Sequence, residues 1–329
     1  MVVNKEEEIK QINIGAPHLV ILGAGASYAS FRLGDKNNKQ LPLMNNLIDI
    51  LELDDLIKQT QIEFQTSNFE EIYDQISKDP TLYEIKVELE QKVYEYFSSL
   101  EILETPTIYD YLLLSLREKD FIATFNWDPF LIQAYRRNGN KFKLPKLIFL
   151  HGNVEVGYCP NGHIKGNIGQ PCSICHEALI PSKLLYPIGD KNYSLDPFIH
   201  KEWEIFKDVL KHSFMVTIFG YGAPKSDKGA IDLMEKAWNH RQRALEETEI
   251  IDIRAEDDLI ETWQPFIFSH HYKIENDFFS SWIANHPRRT GEAYWNQFID
   301  AKFIEDNPIP QNVNFEELWS WYEELAKYE

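Results

Sequence analysis

Close to the N-terminus, the stretch Leu19-Val-Ile-Leu-Gly-Ala-Gly-Ala-Ser27 constrains the fold more than any other. Four apolar residues without a polar interruption read as a strand buried on both faces, the environment of a strand inside a parallel sheet. Gly23 and Gly25 then let the backbone turn tightly and approach a ligand that a β-carbon would hold off. Ala24 and Ala26 keep the turn small, and Ser27 brings a hydroxyl to where a helix would begin. Exposed N–H groups there, with the positive end of the helix dipole, make a phosphate site. A full dinucleotide fingerprint has a third glycine where this chain has Tyr28, so the loop needs support from the rest of the sequence.

That support comes from what recurs downstream. Strand-like runs stand at Phe121–Phe125, Leu147–Leu150, Phe214–Phe219, Glu249–Ile253 and Phe266–His270, with helical stretches such as Trp203–Lys211 and Asp232–Leu245 among them. The alternation predicts an α/β fold with a doubly wound parallel sheet, whose ligand crevice lies beyond the carboxyl ends of the strands. The residues leaving the strands are Gly23-Ala-Gly25, Asn126-Trp-Asp128, His151-Gly152 and Gly220-Tyr-Gly222. All four exits are polar or glycine-rich, as a binding edge requires.

Around this frame, residues 1–16 read as a charged lead-in, helical at Lys5–Gln11, and residues 17–275 as the main domain. The polar loop Leu33–Gln40 beside the glycine turn is expected to be a mobile cover. Residues 41–116 read as a helical insertion packed on the sheet. Leu43, Leu47, Ile48 and Leu51 fall at helix spacing, as do Phe69, Ile72 and Ile76 after Ser67-Asn68, and Leu82, Ile85, Leu89, Val93 and Phe97 after Asp79-Pro80. Residues 276–329 form a helical C-terminal extension carrying Trp282, Trp295, Trp319 and Trp321, broken at Pro308-Ile-Pro310. Its aromatics are expected to pack on the main domain.

Charge narrows the partners. With 33 Lys and Arg against 52 Asp and Glu, the net charge is −19 and no basic stripe exists to track a nucleic-acid backbone. No apolar run approaches the roughly 18 residues that a membrane helix requires, and the N-terminus is polar, so a cytoplasmic chain is expected. Its three cysteines then need a reason other than disulfides.

All three lie in one short segment, as Cys159-Pro-Asn-Gly-His163 and Cys172-Ser-Ile-Cys175-His176. Two clusters, each able to turn around one ion, have the spacing of a structural zinc site in a module of about residues 157–180. Cys159, His163, Cys172 and Cys175 make a closed tetrahedral set, with His176 an alternative to His163. Such an ion folds a stretch too polar to build its own core.

Taken together, these residues resemble the sirtuins and their sirtuin-like relatives. Gly23-Ala-Gly25-Ala-Ser27 is similar to the family's phosphate loop, Thr124-Phe-Asn126-Trp-Asp128 to its Asn-x-Asp segment, and Leu150-His151-Gly152 to its catalytic His-Gly. The cysteine cluster falls where the family carries a zinc ribbon, with three cysteines and a histidine in place of the usual four cysteines. Gly220-Tyr221-Gly222-Ala-Pro224 with Asp227 resembles the later nucleotide-contacting loop of the sirtuin-like branch. The order and spacing match over roughly residues 18–270. The resemblance implies a Rossmann-like domain that binds NAD and cleaves its nicotinamide–ribose bond. Breaking an N-glycosidic bond builds oxocarbenium character on the ribose. His151 would accept a proton from a ribose hydroxyl or from water. Asn126 would orient ribose or water, and Asp128 would stabilise the developing cation or cap the following helix at Pro129.

The acceptor is the point of departure. Protein-deacylating sirtuins carry an Ile-Pro-Asp-Phe-Arg run after the glycine loop and a Phe-Gly-Glu segment after the zinc ribbon. This chain reads Tyr28-Ala-Ser-Phe-Arg-Leu-Gly-Asp35 and Leu179-Ile-Pro-Ser-Lys-Leu-Leu-Tyr-Pro-Ile-Gly-Asp190 there. It looks more like the domains of bacterial antiphage defence, which hydrolyse NAD to nicotinamide and ADP-ribose and arrest the infected cell. The resemblance therefore implies an NAD hydrolase restrained until oligomerisation, a defence partner or a phage component activates it. A protein deacylase or ADP-ribosyltransferase using the same site, and a non-catalytic NAD or nucleotide sensor, are the alternatives.

Overall fold

The computed structural model describes residues 2–188, 193–224, 227–238, 246–267 and 271–329. Its centre is a six-stranded sheet of β1 (His18–Leu22), β2 (Phe121–Thr124), β3 (Lys146–Phe149), β4 (Met215–Phe219), β5 (Glu247–Ile251) and β6 (Tyr272–Glu275). The spatial order is β3-β2-β1-β4-β5-β6, and every neighbouring pair is parallel. The chain thus winds outward from β1 on one side, returns beside it, and winds outward on the other. That is the doubly wound topology expected from the alternation of strands and helices. Its switch point lies between β1 and β4, where the ligand crevice of such a sheet opens. All five residues of β1 are buried, the apolar run Leu19–Leu22 as a strand inside a parallel sheet requires and His18 with it.

Three of the expected elements shift: the fifth strand runs Glu247–Ile251 in place of Glu249–Ile253, and the last strand and one helix move for physical reasons. Phe266 belongs to a short 3-10 turn, Gln264–Phe266, where Pro265 lacks the N–H a ladder would use, and residues 268–270 of the expected last strand lie outside the described residues. The sixth strand comes later, at Tyr272–Glu275, and pairs in register with Thr248–Ile251. The expected helix Asp232–Leu245 runs Lys228–Ala237, and 239–245 are again outside the described residues.

Between β1 and β2 stand α1 (Ala24–Ser30), α2 (Phe69–Lys78), α3 (Tyr83–Ser98) and α4 (Ile108–Ser115). Asn68 caps α2 by accepting from the N–H groups of Glu70 and Glu71, and Phe69, Ile72, Tyr73 and Ile76 face the core. Leu47 and Ile48 are buried on a helix of one turn only, Leu47–Ile50. The loop expected to be a mobile cover is instead tied down. Asp35 is buried and accepts from the N–H groups of Asn37, Lys39 and Glu101, while Lys39 Nζ reaches Ser99. One carboxylate satisfying three backbone donors explains how so polar a loop packs.

After β2 comes α5 (Phe130–Asn138), after the cysteine module α6 (Pro197–His212), after β4 α7 (Lys228–Ala237) and after β5 α8 (Glu256–Trp263). The last helix, α9 (Phe315–Ala326), buries Leu318, Tyr322 and Leu325 in the same core as the sheet, and Tyr322 meets Ser115 Oγ at 2.6 Å. No helix among the described residues is long and apolar enough to cross a membrane.

Candidate active site

Two cavities flank the switch point. The first, of about 320 Å³, is lined by Gly23 and Ala24 from the β1 exit, Asn126, Trp127 and Asp128 from the β2 exit, and His151 from the β3 exit. Gly220, Tyr221, Gly222 and Asp227 close it from the β4 side, and Leu41 to Met44 form an apolar wall. The second, of about 900 Å³, lies beyond the glycine ridge and is lined by Gly25, Tyr28, Arg32, Asp252, Asn276 and Asp277, among others. Gly220 and Gly222 border both.

The ridge is where two loops press together. A β-carbon on Gly220, whose φ is +61°, would stand 2.3 Å from Ala26 N, and one on Gly25 would stand 2.8 Å from Gly220 Cα. Gly25 and Gly220 are therefore required by each other's backbone, and not only by a ligand. The N–H groups follow suit. Gly23 donates to Phe219 O, Gly25 to Gly220 O and Ala26 to Gly23 O, so of these four turn residues Ala24 alone keeps its N–H without an acceptor among the described residues. Ala26 is fully buried and lines neither cavity.

Ser27 also turns inward. Its hydroxyl donates to Asp128 Oδ2 at 2.7 Å and pairs closely with Tyr109 OH, so it serves a buried polar quartet and not an open phosphate site. The fourth member, Asn126, donates through Nδ2 to Gly23 O at 2.8 Å and Ser27 Oγ at 2.9 Å. With the amide nitrogen held, the side-chain carbonyl Oδ1 is what Asn126 offers to a ligand. Asp128 is buried, and desolvation pushes its carboxyl up to about 6 despite the Ser27 hydrogen bond. Its Oδ1 accepts from Phe130 N at 3.3 Å, so it steadies the start of α5 as well. Tyr109 went unread in the sequence because its helix is apolar nearly all round, and one more aromatic there looks like core.

His151 packs edge-on against Phe125, with ring centroids 4.8 Å apart, and near-parallel to Tyr193 at 6.1 Å. Its Nε2 lies 3.8 Å from Asp227 Oδ1. Two buried polar residues brace the strand exits. Asn153 Nδ2 donates to Asp128 O at 2.6 Å, and Asn153 N and O both engage Ser182 Oγ.

The cysteine module is a small antiparallel sheet of Val156–Tyr158, Lys165–Asn167 and Ile180–Pro181. The ligand atoms of Cys159, His163, Cys172 and Cys175 all lie within 4.8 Å of one another. Cys159 Sγ is 3.4 Å from Cys175 Sγ and 3.6 Å from His163 Nδ1, and Cys172 Sγ is 3.8 Å from that nitrogen. A tetrahedral zinc with bonds of ~2.3 Å to sulfur and ~2.0 Å to nitrogen sets such edges at about 3.5–3.8 Å, so the set fits that ion. His176 stands outside this set, so of the two histidines His163 is the one that fits. Hydrogen bonds from Asn161 and from the Glu177 N–H bring the Cys175 thiol down to about 6, favouring the thiolate that a metal binds.

No protein-family model matches this chain, and no curated protein does. Among solved structures it is similar to a Sir2 homologue in complex with ADP-ribose, at 12% identity over 88% of this chain and 91% of that one, with a TM-score of 0.42. A Sir2 homologue–NAD complex is 14% identical over 88% and 89%, with a TM-score of 0.41. Sir2 bound to an acetylated peptide is 13% identical over 87% and 93%, with a TM-score of 0.35.

Proposed function

We propose that this protein is an NAD glycohydrolase, which breaks the nicotinamide–ribose bond and passes the ribose to water. The observation that carries the reading is the meeting of Asn126 and His151 in one cavity at the switch point of a doubly wound sheet. The nicotinamide ribose occupies this cavity, the pyrophosphate crosses the ridge near the Ala24 N–H, and the adenosine enters the second cavity. As the C–N bond breaks, nicotinamide leaves with the bonding electron pair and positive charge grows on the ribose. Asn126 Oδ1 accepts a hydrogen bond from a ribose hydroxyl or from the attacking water, which fixes its orientation. The water oxygen bonds to the anomeric carbon, and its proton passes to the His151 imidazole. The apolar wall from Leu41 to Met44 limits other water around the reacting carbon.

The zinc set has no open position and lies in its own module, so a bound ion would order the module and take no part in bond breaking. On the resemblance drawn from the sequence, the enzyme is an antiphage effector that depletes NAD once oligomerisation, a partner or a phage component releases it.

The test is chromatography of NAD incubated with the full chain, with and without an acetylated peptide, over a range of protein concentrations. Nicotinamide and ADP-ribose in equal amounts without peptide is the expected result, and it is lost in Asn126→Ala and His151→Ala. Release only with peptide would replace this reading by deacylation. Full turnover in both variants would remove the site assignment.

A further inference from the structure

Asp227 stands directly before α7, at the position where an aspartate ordinarily caps a helix. Its side chain makes no capping hydrogen bond. Instead it is buried, with Oδ1 3.8 Å from His151 Nε2 and Oδ2 accepting from Tyr221 OH at 2.9 Å. Tyr221 is held in turn, its ring stacked on Phe125 at 4.1 Å and 4°, and Phe125 packs edge-on against His151. Four side chains beyond the ends of β2, β3 and β4, Phe125, His151, Tyr221 and Asp227, therefore form a closed circuit that contains the carboxylate–imidazole pair.

We infer that Asp227 is a positioning residue for His151, which orients the imidazole and stabilises the imidazolium formed when the ring takes a proton, with Tyr221 fixing the carboxylate. The inference rests on the proposed NAD chemistry for its kinetic readout, but not for the titration of the ring. It replaces the nucleotide-contacting role that the sequence resemblance implied for Asp227. The separation of 3.8 Å is that of an ion pair and not of a formed hydrogen bond, and such pairs tighten when the ring becomes charged. An opposite charge at this range favours the charged ring by roughly one pKa unit or more. Among the described residues, the titratable groups facing this corner are Asp227 and Tyr221 from the β4 exit, Tyr193 from the segment before α6, and Asp128 and Glu70 from the cavity wall.

The experiment is NMR titration of the His151 imidazole in the full chain and in Asp227→Asn, with the pH profile of nicotinamide release measured beside it. In Asp227→Asn the imidazole pKa falls by about one unit or more. The acid limb of kcat/KM moves to lower pH by the same amount, and kcat falls about tenfold to a hundredfold with little change in KM. Asp227→Glu keeps the charge and a near-parental titration. Tyr221→Phe keeps the carboxylate but frees it, giving a smaller shift of the same sign, and it carries the test if Asp227→Asn does not fold. An unmoved imidazole titration overturns the inference. So does a raised KM with kcat and acid limb unchanged, which would mark Asp227 as a nucleotide contact. If the parent chain cleaves no NAD at any protein concentration, activity of the chain on its own fails and the kinetic readout with it, while the titration still decides the pair.

Discussion

Leu185 donates its backbone N–H to the carbonyl of His151 at 2.9 Å, and the segment that carries Leu185 emerges from the cysteine module. One residue on, Gly152 has φ +77° and lies so close to Lys183 that a β-carbon would stand 2.1 Å from its carbonyl oxygen. The module and the proposed base thus share a strip of backbone. A metal that takes no part in the chemistry would still set where His151 sits.

Removal of the metal is therefore expected to lower activity through order, not through lost Lewis acidity. Chelation should loosen residues 157–187 in hydrogen exchange and reduce nicotinamide release, and readdition of zinc should restore both. Cys175→Ser should reproduce the effect. Full activity in the metal-free protein, with exchange unchanged, would show that the module does not position the site.

The glycine ridge separates a structural from a ligand requirement. Gly220→Ala forces a methyl into the Ala26 and Gly25 backbone at positive φ, and is expected to cost about 3 kcal/mol of stability. Gly222 has nothing within 4 Å of an added β-carbon, yet it borders both cavities. Gly222→Ala should therefore melt near the parent while binding NAD at least several-fold more weakly by calorimetry. Equal NAD affinity in Gly222→Ala would mean that the dinucleotide does not cross the ridge.

The quartet around Asn126 gives a third expectation. Ser27→Ala removes the hydroxyl that meets Tyr109, Asn126 and Asp128, leaving buried polar groups short of a partner at a cost of about 1–3 kcal/mol. It also removes a hydrogen bond that favours the ionised Asp128, so the carboxyl should titrate above about 6. Nicotinamide release should fall about tenfold, since Asn126 keeps only its bond to Gly23 O and a long contact to Tyr109. Parental turnover in a folded Ser27→Ala chain would show that Asn126 needs no such support.

What could be read from the chain depended on how each signal arises. Four consecutive apolar residues made β1 plain, and cysteine spacing made the metal set plain except for the choice of histidine, which needed the position of the His163 ring among the three sulfurs. The fifth strand was read two residues late because it begins Glu247-Thr248-Glu249, and carboxylates buried in a strand run against the usual pattern. That slip hid Asp252 inside the strand, although it stands just past the strand end on the second cavity. β6 lies later than the expected Phe266–His270 because the continuous apolar run at Phe266-Ile267-Phe268 is a stronger sequence signal than the short alternation Tyr272-Lys-Ile-Glu275. Tyr109 and the contact between Asp227 and His151 depend on packing between distant segments, for which sequence spacing carries no signal.

Two buried titratable residues of the sheet, His18 on β1 and Glu247 on β5, predict opposing pH effects on stability. His18 bonds Thr290 Oγ1 at 3.0 Å and Thr217 Oγ1 at 2.8 Å, and burial lowers its imidazole to about 4 from an ordinary 6.5. The folded state thus keeps the ring neutral. Its contribution is present above pH ~6.5 and is lost as pH falls through about 4, by roughly 3 kcal/mol in all. Glu247 runs the other way. Burial, and then the nearby Glu249, raise its carboxyl to about 8 from 4.5, so its contribution is present below pH ~4.5 and is lost as pH rises through about 8. In urea unfolding from pH 4 to 9, Glu247→Gln should gain stability over the parent progressively toward alkaline pH. His18→Gln should start less stable, because two hydrogen bonds are disturbed, but lose less on acidification. Parallel pH curves for parent and variant would show that the residue titrates alike in the folded and unfolded chain, and would remove it from the account.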